Sequence, residues 1–110
     1  MKPNLLVHRY AKAFLELAVQ NDLVEKALDD LLLVKTTIEG NKELDALIHQ
    51  PFVSKERKVN ILNRLFADRV APITLNLVNL LIDKNRDTII TDIYDEYYVL
   101  YLEYKKIAVV

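Results

Sequence analysis

Apolar side chains recur along this chain at three- and four-residue intervals, and no stretch alternates at period two for long enough to suggest a sheet. Such a pattern buries its apolar surface by packing helix on helix. Caps and breaks divide it into six helices. The first runs from about Asn4 to Gln20. Asp22-Leu23-Val24-Glu25 has capping-box spacing, an N-cap acid with glutamate three residues on, and opens a second helix that Gly40 ends. Leu23, Ala27, Leu31, Val34 and Ile38 give that helix a single apolar stripe. Asn41 caps a short third helix, Lys42 to about His49, which stops before Pro51 because the residue preceding a proline is pushed out of the helical region. Ser54 caps a fourth, through about Ala67, with Val59, Leu62 and Phe66 as its core face. Pro72 suits the first position of a fifth helix reaching about Lys84. Asn85-Arg86-Asp87 then turns the chain into a long sixth, about Thr88 to Lys106. The fold class is all-α, a compact six-helix bundle with short connections. At 110 residues the chain makes one domain, residues 1–106.

Two of these helices carry more apolar surface than one core requires. At roughly 100° per residue, Arg9, Lys12, Glu16 and Gln20 share a narrow polar arc of the first helix, with His8 at its edge. Val7, Ala11, Phe14 and Ala18 form one apolar flank and Leu6, Tyr10, Ala13 and Leu17 a second. Together they exceed the stripe of about 100° or somewhat more that a surface helix needs. One flank makes the core; the other is free to receive something else, and small Ala13 beside Tyr10 lets a foreign helix come close. The fifth helix repeats the anomaly. Asn76, Asn79 and Asp83 form its polar strip, between Ile73, Leu77 and Leu80 on one side and Leu75, Val78 and Ile82 on the other.

Composition removes several function classes. Phosphate-cradling loops and dinucleotide turns need several glycines at fixed spacing, and Gly40 stands alone. The net charge of -1 lacks the basic footprint of phosphate-backbone binding. With no cysteine there is no disulfide framework, thiolate zinc site or cysteine nucleophile, which suits a reducing compartment. The longest apolar run, Tyr97 to Leu102, is far short of the roughly 20 residues that span a bilayer, so no membrane insertion is expected.

The remaining polar and aromatic clusters have plain structural readings. Tyr94, Tyr97, Tyr98, Tyr101 and Tyr104 share about a third of the last helix's circumference, but Asp92, Asp95, Glu96 and Glu103 are interleaved where a single-strand binder needs positive charge. Core or interface packing near the bundle's edge suits that stripe, since each hydroxyl needs a partner or water. In the basic cluster Lys55, Arg57, Lys58, Arg64 and Arg69, Lys55, Lys58 and the Arg57/Arg64 pair point in different directions, as on a solvated surface, where a recognition helix presents one face. His8 and His49 have no ligand-like spacing, and Asp29 and Asp30 diverge by about 100° on a helix. No nucleophile, base and orienting group come together. No enzyme, metal site or cofactor is expected.

Three stretches, in order, resemble the δ subunit of the F-type ATP synthase, the oligomycin-sensitivity-conferring protein of mitochondria. They are Arg9-Tyr10-Ala11-Lys12-Ala13 with its continuation Phe14-Leu15-Glu16-Leu17-Ala18, Asn41-Lys42-Glu43-Leu44 through Leu47, Pro51 and Lys58, and Leu75 through Arg86. Two departures stand out: the family often has glycine before the arginine at position 86, and its first-helix aromatic commonly falls one position after Phe14. The resemblance implies a six-helix N-terminal domain whose first and fifth helices form a groove for the amphipathic N-terminal helix of an F1 α subunit. By position it puts Tyr10, Ala13 and Leu80 in that groove, with Leu6, Leu17, Ile73, Asn76 and Leu77 as neighbours. It also implies that residues 107–110 begin the connection to an absent C-terminal segment, through which stalk b-type subunits would be met. The function so implied is that of a non-catalytic peripheral-stalk subunit in proton-driven ATP synthesis. It would sit without a membrane span on the F1 side of a bacterial plasma, thylakoid or inner mitochondrial membrane. The alternatives are an unrelated helical adaptor for an amphipathic partner helix and, further off, a helix-turn-helix binder of nucleic acid.

Overall fold

The structure, a computed structural model, describes residues 4–108, and among them there are six α-helices, one 3-10 segment and no strand. The helices are α1 (Leu5–Gln20), α2 (Val24–Glu39), α3 (Lys42–Ile48), α4 (Lys55–Phe66), α5 (Pro72–Asp83) and α6 (Ile93–Ala108). Three begin on side-chain caps, of which Asn41 and Ser54 were read from the sequence. Asn4 Oδ1 accepts from the N–H groups of Leu6 and Val7, Asn41 Oδ1 from Leu44, and Ser54 Oγ from Arg57. Pro72 occupies the first turn of α5. None of the described helices is long and apolar enough to cross a membrane.

The core is organised around the inner flank of α1. Val7, Ala11, Phe14 and Ala18 are all buried. The two alanines, with no exposed surface, leave room for α2 and α6 to lie close alongside. Tyr97 of α6 fills the centre of that contact. It has no exposed surface, its ring meets Phe14 at 5.7 Å and 56°, and its hydroxyl donates to the Val24 carbonyl at 2.9 Å. Burial pushes that hydroxyl above the usual tyrosine range, so it remains a donor at physiological pH. The other stripe residues behave differently: Tyr94, Tyr98 and Tyr101 stack in sequence along the outside of α6.

Four expectations need correction. Asp22 does not cap α2, whose N-cap is Leu23 and has no side-chain bond. With φ at 57°, Asp22 instead ends α1: its N–H donates to Val19 and that of Leu23 reaches back to Ala18, the paired bonds of a left-handed C-terminal cap. The termination of α1 uses the acid before α2 can.

The sixth helix does not start at Thr88. Asp87–Asp92 is a 3-10 segment and the α-helix runs 93–108, so Ile107 and Ala108 continue it while Val109 and Val110 lie outside the described residues. Three residues per turn align Asp87, Ile90 and Ile93, all buried, on one face. The β-branched run Thr88-Ile89-Ile90-Thr91 also resists an α-helix.

Lys58 is not solvated. It is buried and donates to Asp87 at 2.6 Å, pinning α4 to the start of the 3-10 segment. Asn79, placed on the polar strip of α5, is part-buried and paired in both directions with Asn63 of α4.

α5, the second wall of the groove described below, has no side-chain cap of its own. Buried Asp30 of α2 supplies one from a distance. Its Oδ2 accepts from the Ala71 N–H and the Thr74 hydroxyl, both at 2.8 Å, while Oδ1 meets Lys26 at 2.7 Å. At the other end Lys55 donates to the Asp83 carbonyl at 2.7 Å. The chain then leaves through Asn85, whose φ of 59° forms a second left-handed cap: Asn85 donates to Ile82 and Arg86 to Leu81. This is the position where the resembled family often has glycine, and asparagine is the side chain that best tolerates that conformation. Gly40, by contrast, has φ of -81°, and its missing Cβ matters through space, since one would stand 2.9 Å from the Thr36 carbonyl.

Asn85→Ala should cost about 1 kcal/mol of stability and Asn85→Gly almost nothing, as read from denaturant midpoints. Asp30→Ala should cost about 3 kcal/mol, because it strands two buried donors, the Ala71 N–H and the Thr74 hydroxyl. Lys26→Ala, at an exposed head group, should cost less than about 1 kcal/mol.

Candidate functional site

The second flank of α1 and the outer face of α5 enclose an open groove of about 240 Å³. Tyr10, Ala13, Phe14 and Leu17 line it from α1, and Ile73, Asn76, Leu77 and Leu80 from α5. The lining is apolar apart from Asn76 and the edge of Tyr10. Phe14 and Leu77 are almost fully buried and form the floor, whereas Leu17 and Leu80 remain 39% and 43% exposed on opposite walls. Two large aliphatic side chains left this open across a shared channel are what an unfilled interface looks like. The volume falls below the roughly 300–1,000 Å³ of small-molecule sites, and the lining offers no convergent polar groups for a cofactor.

Seven of the eight residues expected at a partner site line this groove. Leu6 does not; it packs half-buried against the core. Phe14 was assigned wholly to the core flank, yet it serves both sides, because residues 10, 13, 14 and 17 are mutual neighbours on a helix.

Arg86 is the other residue that periodicity could not place. Its Nη1 donates to the Tyr10 hydroxyl at 2.7 Å and its guanidinium lies 5.7 Å from the ring centroid. The contact spans 76 positions and depends on the cap at Asn85, so no local pattern announces it.

A second depression lies between α3 and α4, where Leu44, Leu47, Ile61 and Leu65 sit between Glu43 and Arg64. Its large side chains are buried or half-buried. The histidines are occupied elsewhere: His8 meets Glu96 at 2.5 Å, tying α1 to α6, and His49 meets the Asp45 carbonyl at 2.8 Å. Among the described residues no three His, Cys, Asp or Glu side chains gather as metal ligands.

Known proteins match this sequence over nearly its whole length. The family model for the ATP synthase delta (OSCP) subunit matches residues 6–110. The chain is 37% identical over 95 residues to the ATP synthase subunit delta of Desulforamulus reducens, covering 86% of this chain and 52% of that protein. It is 35% identical over 108 residues to the Bacillus thuringiensis subunit, covering 98% and 59%, and 30% identical over all 110 to that of Cytophaga hutchinsonii, covering 100% and 60%. The chain therefore spans between half and three fifths of the length of these relatives. A match that runs through both groove-forming helices and the turn at Asn85 and Arg86 leads to one conclusion: the chain belongs to the ATP synthase delta (OSCP) subunit family.

Proposed function

We propose that this domain is a non-catalytic peripheral-stalk module that docks the amphipathic N-terminal helix of an F1 α subunit between α1 and α5. It would hold the catalytic head against rotation on the F1 side of the membrane. The observation that carries the reading is the apolar groove with Leu17 and Leu80 exposed across it. A helix laid there presents side chains at three- and four-residue spacing to a floor of Phe14 and Leu77, the general mode of helix-in-groove recognition. Small Ala13 keeps the channel wide enough for a backbone to approach. Contact with stalk b-type subunits is assigned to a C-terminal segment of the longer relatives. An unrelated amphipathic helix binding equally well would favour a general adaptor instead.

Titration with an α-subunit N-terminal peptide tests the reading. Ala13→Asp should raise Kd by more than about 100-fold, because the new carboxylate is solvated in the free domain and buried unpaired in the complex. The free domain's stability should fall by less than about 1 kcal/mol, the helix-propensity difference between alanine and aspartate, since Ala13 is exposed.

Leu80→Ala should cost about 2 kcal/mol of binding, near 30-fold in Kd, with a smaller loss of stability. Leu31→Ala, at a position only 3% exposed in the single stripe of α2, should show the reverse: about 2–5 kcal/mol of stability lost and affinity kept. If Leu80→Ala behaves like Leu31→Ala in paired melts and titrations, α5 is a core helix and not a groove wall.

A further inference from the structure

Apolar docking leaves one group at the groove's margin unused. Arg86 is half-buried, and among the described residues its one side-chain hydrogen bond goes to the Tyr10 hydroxyl, with no carboxylate in ion-pair range. Arginine carries five N–H donors, so most of its bonding capacity is unspent. Three other cations that bridge elements meet a carboxylate, Lys35 at Asp95, Lys58 at Asp87 and Lys105 at Glu25, while exposed Lys55 spends its charge on the Asp83 carbonyl. Nor is Arg86 free to wander. The left-handed cap at Asn85 directs its N–H to the Leu81 carbonyl at 2.7 Å, and the Tyr10 ring holds the far end of its side chain. The result is a positioned, uncompensated positive charge beside an apolar groove.

We propose that Arg86 is a specificity-determining residue of this groove, holding Tyr10 as a wall and pairing with a carboxylate of the docked helix. The inference rests on the reading that the groove takes an amphipathic helix, and it adds that helix's chemistry: an aspartate or glutamate flanking one end of the apolar stripe. A planar guanidinium fork matches a carboxylate in geometry as well as charge. Because the cation stands at the Tyr10 end alone, the pair would also fix the direction and register in which the helix lies.

The test is a coupling experiment on the domain with the α-subunit N-terminal peptide of the same source. Each aspartate or glutamate of the peptide is replaced singly by its amide, and each peptide is titrated against the unaltered domain, Arg86→Gln and Arg86→Lys. One amide replacement should weaken binding to the unaltered domain about fivefold and have no further effect on Arg86→Gln. Arg86→Lys should recover part of the difference, and the coupled loss should shrink as salt is raised. Replacements read against the unaltered domain keep the test valid if Arg86→Gln folds poorly. The inference is overturned if no replacement weakens binding, or if Arg86→Gln loses the same factor with every peptide, which is what a purely structural role produces. Absence of binding by the unmodified peptide would overturn the groove reading itself, an outcome distinct from binding without coupling.

Discussion

The close contact of α1 with α6 is the constraint on which the rest of the molecule depends. Ala11 and Ala18 have no exposed surface, and Tyr97 closes over Phe14 while its hydroxyl reaches the start of α2. One flank of α1 is thereby committed to the core. With only two flanks available, the other faces outward at Tyr10, Ala13 and Leu17, and α5 stands far enough off to leave a channel between them. The groove is thus a consequence of where the core puts α1. A wider core contact that rolled α1 toward α5 would bury the same residues and abolish it.

α5 keeps its distance because it is fastened from elsewhere. Asp30 holds its N-terminal end, Asn63 grips Asn79 in its middle, and Lys55 caps its last carbonyl, that of Asp83. These polar ties come from α2 and α4, none from α1. Each satisfies a group whose isolation would cost free energy, so they fix orientation as well as adding stability. A wall held in this way is pre-ordered for a partner and loses little freedom on docking.

What the sequence disclosed and what it withheld divide along one physical line. Caps at Asn41 and Ser54, the proline at 72 and the two flanks of α1 are local features, and short-range pattern reads them. Asp30 with Thr74, Lys58 with Asp87 and Arg86 with Tyr10 join residues 44, 29 and 76 positions apart, and each was invisible for that reason. Asp22 shows a subtler failure. Its spacing to Glu25 was right for a capping box, but the same residue takes the left-handed conformation that ends α1, and Leu23 becomes the N-cap of α2. Phe14 was missed as groove floor because a helix face was treated as a set of separate stripes, whereas a large ring spans two of them.

The central claim is that the channel between α1 and α5, and no other face, takes the partner helix. Amide chemical-shift mapping of the labelled domain during titration with an α-subunit N-terminal peptide tests it most directly. The account predicts saturable shifts concentrated at Tyr10, Ala13, Leu17, Ile73, Asn76 and Leu80, with the α3–α4 depression at Leu47, Ile61 and Leu65 unmoved. Shifts centred on Leu47, Ile61 and Leu65, with the α1–α5 channel silent at saturation, would contradict it.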